Sequence, residues 1–181
     1  IRSVSGIAKN LKGQLVIADP TALIGLDTQN VVIKREKEEP DQIVSRWVDN
    51  LPKLAQTRLL QSFENCGFLG KVNRPGDGVT ADFQLLIDVR SFQATLTPTS
   101  SAEVELTAKI LDSAGKVVEG KIFRASQDAG ADNVSAIAAL DTIFGKLETE
   151  IVTWTVTTIN NADSDEKETG KDATKDGGKE G

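Results

Sequence analysis

Apolar residues change their period several times along this chain, and each change marks an element. Ile137, Leu140, Phe144, Leu147, Ile151 and Trp154 recur at steps of 3, 4, 3, 4 and 3, which predicts a helix over about residues 132–158 with a continuous apolar stripe. A second helical pattern joins Leu51, Leu54, Ala55, Leu59, Ser62, Phe63 and Cys66. Asp49 or Asn50 can cap it, Pro52 suits its first turn and Gly67 follows its last periodic residue. Lys53, Gln56 and Gln61 fall on its other side.

Between these helices the period is two. Ala81, Phe83, Leu85, Ile87 and Val89 share one face, with Asp82, Gln84, Asp88 and Arg90 on the other, and from Phe92, Ala94 and Leu96 the phase moves by one. Only an inserted residue lets both halves face one core, so a bulge is expected near Arg90 and Ser91. Val104, Leu106, Ala108 and Ile110 alternate in the same way, and Asp112-Ser113-Ala114-Gly115 reads as a hairpin turn into a return strand. Strands 81–97, 102–112 and 116–126 thus form an antiparallel meander. Shorter strands are expected at 14–19, 28–34 and 68–72, and the mixed charges of 34–41 read as a solvated connection.

A three-stranded meander exposes an apolar face that needs a cover, so the 137–154 stripe is expected to pack on the sheet. Its carboxyl half, Val152 to Ile159, is expected to project past the sheet, which makes Trp154 and Val156 interface candidates. The fold class is α/β (α+β): the meander plus amino-terminal strands, packed against two helices. Residues 1–159 form one domain. From Asn160 onward there is no large apolar side chain, only seven acids, four lysines and small or polar residues, so 160–181 is expected to be a disordered tail.

Composition then prunes the chemistry. Among 181 residues there is no His and one Cys, which excludes imidazole bases, Ser-His and Cys-His nucleophile pairs, thiolate zinc sites and intrachain disulfides. Cys66 reads as a small core residue. A net charge of −6 argues against a phosphate-neutralising nucleic-acid surface. No stretch approaches the roughly 20 apolar residues that span a bilayer. Because the chain begins at Ile1, an upstream segment such as an export signal is expected to precede it.

What remains for acid–base work is carboxylates and lysines. Asp82 and Asp88 lie six residues apart on one strand face, about 20 Å, too far for a glycosidase-like pair. Asp163 and Asp165 resemble the start of a calcium loop, but Glu168 and Thr174 stand where Gly and Glu are needed. Gly76-Asp77-Gly78-Val79-Thr80-Ala81 has dinucleotide-fingerprint spacing but runs into a strand rather than a helix. No catalytic residue, metal ligand or cofactor is assigned. Arg46-Trp47, Arg74, Asp77 and Trp154 are the candidates for partner contact, since aromatic and arginine residues anchor interfaces; for Trp47 the competing role is closing one end of the core.

Several blocks resemble one family. They are Gly13-Gln14-Leu15-Val16-Ile17-Ala18-Asp19-Pro20, Arg46-Trp47-Val48-Asp49-Asn50-Leu51-Pro52, Gln61-Ser62-Phe63-Glu64-Asn65-Cys66-Gly67, Arg74-Pro75-Gly76-Asp77-Gly78 running into Ala81-Asp82-Phe83-Gln84-Leu85, Ala102-Glu103-Val104 and Ala139-Leu140-Asp141. In order and spacing these are similar to the ABC-type transport auxiliary lipoproteins, the PqiC-like components encoded with Mce-type lipid transporters. The resemblance covers roughly residues 12–158. It implies a sandwich similar to the amino-terminal domain of TolB, a periplasmic location, and an outer-membrane tether through a lipidated Cys upstream of Ile1. It also implies partnership with an MCE-domain protein in moving phospholipid-like molecules, with no bond made or broken. Self-association stays open. Two further classes stay in view: an enzyme built on carboxylates or lysines, and a scaffold module that recruits a protein through its terminal helix.

Overall fold

The computed structural model describes residues 10–23, 25–35, 42–47, 49–97 and 99–172, with backbone alone at 35, 42–46 and 163–172. The elements are β1 (Leu15–Ile17), β2 (Thr21–Ala22), β3 (Asn30–Arg35), β4 (Gln42–Arg46), α1 (Leu51–Phe63), β5 (Val72–Asn73), β6 (Phe83–Thr97), β7 (Ser101–Asp112), β8 (Val117–Gln127) and α2 (Asn133–Asp172).

The sheet is organised around β6. One edge of this long strand takes three short parallel partners in succession: β1 against Phe83–Leu85, β2 against Asp88 and Val89, and β3 against Gln93–Thr97. Its other edge carries antiparallel β7, which carries antiparallel β8. Beyond β1 lies β5, and beyond β3 lies β4. The expected bulge is present, because Val89 faces Leu106 while Ser91 faces Glu105, leaving Arg90 unpaired between them. Leu85, Ile87 and Val89 before it and Phe92 and Ala94 after it are all buried.

Both helices cover the same face, giving a two-layer sandwich. α2 packs on β6, β7 and β8 and α1 packs beside it over β2 and β5. The core joins Leu140, Phe144, Leu147 and Ile151 of α2 to Leu59 and Phe63 of α1 and to the inward residues of β6 and β7. The opposite face of the sheet, with Leu86, Asp88, Glu103, Thr107 and Arg124, carries no second layer among the described residues.

Four expectations change. Val152, Val156 and Ile159 are buried, so the carboxyl half of the α2 stripe lies on the sheet rather than beyond it. Thr158 pins it there by donating its hydroxyl to Glu119 at 2.7 Å. The helical backbone then runs to Asp172, past Ile159 where the ordered element was expected to end. Lack of apolar side chains bars residues 160–172 from a core but not from extending an existing helix, where each added residue gains a hydrogen bond without a new nucleus; residues 173–181 lie outside the described residues. Phe68, expected to open a strand over 68–72, instead ends a wide helical turn over Glu64–Phe68 with Gly67 at φ 96°, and the strand is confined to Val72–Asn73. Lastly, β4 occupies part of what read as a connection, while 36–41 lies outside the described residues.

Candidate functional site

Trp47 follows β4 directly. Its N–H donates to the Gln29 carbonyl at 2.6 Å. The half-buried ring stands edge-on to Phe92 with centroids 5.5 Å apart, and Phe92 meets Phe144 of α2 in the same way at 5.4 Å. Such edge-to-face contacts add to area burial, so Trp47 closes the core at this end of the sheet. Arg46 ends β4 opposite Asn30; its side chain lies outside the described residues.

Arg74 and Asp77 form one tight turn. The Asp77 carboxylate accepts the Arg74 N–H at 2.8 Å, and the Arg74 guanidinium donates to the Thr57 hydroxyl on α1 at 3.2 Å. The acid closes the turn and the arginine docks it on the helix. No helix amino terminus follows, which removes the dinucleotide reading.

Trp154 lies elsewhere, over β8, with its ring edge-on to Phe123 at 5.5 Å. Its Nε1 is buried without a hydrogen-bond partner among the described residues. Lys121, Thr149, Glu150, Thr153 and Thr157 surround it in a shallow cleft between α2 and the edge of β8. Among the described side chains, Arg74 and Asp77 are brought together, whereas neither contacts Trp47 or Trp154.

The remaining acids hold the chain together. Asp82 accepts the Gln14 N–H at 2.7 Å, and Asp88 accepts the Thr21 hydroxyl at 2.7 Å, so both fasten the amino-terminal strands to β6. Gly13 makes the first of these contacts feasible: its φ is +84°, and an added Cβ would lie 2.8 Å from the Asp82 carboxylate. Gln56, read as lying off the apolar face of α1, is buried and donates to the Ile17 carbonyl at 3.0 Å and to Asp19 at 3.1 Å. It fastens β1 to α1, because the strand end offers an acceptor that would otherwise be left unmet.

Two ion-pair clusters were not foreseen. Between the helices, Arg58 lies over the Phe144 ring at 4.7 Å, donates to Asp141 at 2.6 Å and lies 2.7 Å from Glu148 through Nε. Ser62 donates to the same Glu148 at 3.4 Å. Burial pushes the Glu148 carboxyl above the usual carboxylate range, opposed by the Arg58 charge and by hydrogen bonds from Arg58 and Ser62. On the open sheet face, Glu105 is held between Arg90 and Arg124. The register from the Asp112–Gly115 turn places Glu105 opposite Arg124 and could have disclosed that pair; the seam, spanning Arg58 to Glu148, left no local signal. Cys66 is partly buried, which raises its thiol pKa. Among the described residues no group of three or more Cys, Asp or Glu side chains is placed to hold a metal ion.

Comparison with known proteins fits this arrangement. The family model for the ABC-type transport auxiliary lipoprotein component matches residues 2–152. An uncharacterised protein of Bradyrhizobium diazoefficiens is 35% identical over 153 residues, which is 84% of this chain and 42% of that protein; the chain therefore spans less than half of that relative's length. A crystal structure from Xanthomonas campestris superposes with a TM-score of 0.75 at 24% identity, covering 89% of this chain and 92% of that one. The PelC dodecamer from Paraburkholderia phytofirmans shares the fold more distantly, with a TM-score of 0.51 and 11% identity over 81% of this chain and 88% of that one.

Proposed function

This chain belongs to the ABC-type transport auxiliary lipoprotein components, and from that membership we propose that it is a non-catalytic, periplasmic subunit of an Mce-type ABC lipid transport system. It docks on an MCE-domain protein at the outer membrane, tethered by a lipidated residue upstream of Ile1. The observation that carries this reading is the family match across residues 2–152. The side-chain chemistry supports it: Asp77, Asp82, Asp88, Glu105 and Glu148 each hold one part of the chain to another. Carboxylates committed in this way are structural pins, whereas acid–base catalysis needs a group aimed at a substrate.

The contact surface is assigned to Arg46, Trp47 and the Arg74–Gly78 turn, with Trp154 as a separate contact. Arg74 is exposed and retains donors beyond the one given to Thr57, and Trp47 presents the part of its ring that Phe92 leaves uncovered. The test is to purify the lipoprotein from solubilised envelopes as Trp47→Ala, Arg74→Ala and the pair together, with circular dichroism confirming folding. Loss of the MCE-domain protein from the folded double variant is the expected result. Unchanged co-purification together with unchanged lipid transport would refute the assignment.

A further inference from the structure

β8 is an edge strand. It pairs with β7 on one side and with no described strand on the other, over Val117–Gln127, and it contains no proline. A long open edge is a template for another strand. Three of the seven exposed large apolar side chains among the described residues stand on it: Val117 at 51%, Val118 at 37% and Ile122 at 57%.

We propose that this edge pairs with the same edge of a second copy, in an antiparallel two-fold ladder centred on Gly120. The register follows from charge and shape. In such a ladder, residues equidistant from the centre face one another on the same side of the sheet. Centring on Gly120 sets Glu119 opposite Lys121 of the second copy, twice over; Val118, left without a β7 partner where the register shifts between Val117 and Glu119, adds no regular cross-pair. Centring on Lys121 would oppose two ammonium groups, and centring on Glu119 two carboxylates. Lysine on a strand edge usually deters pairing; here it selects one register, because the matching residue is an acid. Gly120 at the axis has no side chain to hold the backbones apart.

The helical layer is suited to the same axis. The cleft beside β8 is lined by Lys121 from the strand and by Thr149, Glu150, Thr153, Trp154 and Thr157 from α2. Each of these threonine hydroxyls donates back to the carbonyl four residues earlier, at 3.2, 2.9 and 2.9 Å. The threonine row therefore presents methyl groups with its hydroxyl donors already used, flanked by Glu150 and Trp154, and a second α2 brought in by the β8 ladder meets this row. The interface is isologous and closes at two copies.

This inference is independent of the transport reading, and its failure would leave the co-purification test untouched. Sedimentation of the full chain over a concentration series is expected to give a mass twice that of one chain, and Ile122→Lys is expected to return it to the single-chain mass. Thr153→Glu, which places like charges near the axis in the helical layer, provides a second disruption on a different element. Gly120→Cys in a Cys66→Ser background is expected to form an intermolecular disulfide, and Gln127→Cys at the strand end is not. A single-chain mass throughout, or an assembly indifferent to both Ile122→Lys and Thr153→Glu, would overturn the proposal.

Discussion

Removing Arg58 tests how the two helices are joined. In Arg58→Ala the Glu148 side chain, 8% exposed, loses the cation beside it. Breaking a buried pair by deleting one partner costs roughly 3–5 kcal/mol. The loss of the guanidinium over Phe144 adds roughly 0.5–1 kcal/mol. Asp141 is 64% exposed, so its lost contact is worth about 0–1 kcal/mol. Arg58 itself is 25% exposed, and water screens part of the pair, which places the expected total near 3 kcal/mol at neutral pH. At about 2–4 °C per kcal/mol for a chain of this size, the midpoint of thermal unfolding drops by about 6–12 °C. Urea unfolding followed by circular dichroism measures the loss. The penalty should also shrink toward pH 4.5, because Arg58 normally pulls the Glu148 pKa down and without it the carboxyl takes up a proton more readily. Replacing both residues by leucine should recover most of the stability. A loss under about 1 kcal/mol, or one equal at acid and neutral pH, would refute the buried-charge argument.

Three other outcomes follow. Glu148 has a raised pKa in the fold from an ordinary value of 4.5, so its contribution favours folding below about 4.5 and is lost as pH climbs through the raised value; urea midpoints from pH 4 to 8 should therefore fall more steeply for the wild type than for Glu148→Gln. Gly13→Ala should cost about 2 kcal/mol, from a left-handed backbone and the crowded Asp82 carboxylate, read as a lower urea midpoint with an unchanged denaturant slope. Deleting Arg90 should abolish cooperative unfolding, because removing the bulge residue turns one half of β6 inside out, whereas Arg90→Ala should stay within about 1 kcal/mol of wild type.

The meander was legible because its information is local. Alternation set the faces of β6, β7 and β8, Gly115 set the turn, and the slip after Val89 announced the bulge. The α2 stripe was legible for the same reason, though a wider face, including Val152, Val156 and Ile159, explains why the helix stays on the sheet. Strands β2, β4 and β5 were not separated out as observed: each is five residues or fewer, and what makes them strands is pairing with distant parts of the chain. Gln56 shows the same limit, since its acceptor lies 39 residues away. Of the candidate contact residues, the sequence identified side chains with anchoring chemistry but not their partners. Phe92 beneath Trp47, Thr57 beside Arg74 and Phe123 beneath Trp154 come from other elements.

On the proposed function, this chain acts by contact within an ABC transport assembly. The most direct measurement is cross-linking of the full lipoprotein in intact envelopes, followed by mass spectrometry of what it carries. An MCE-domain protein of an ABC lipid transporter, joined through peptides containing residues 46–47 or 74–78, is the predicted result. Recovery of the chain without any transport component would contradict it.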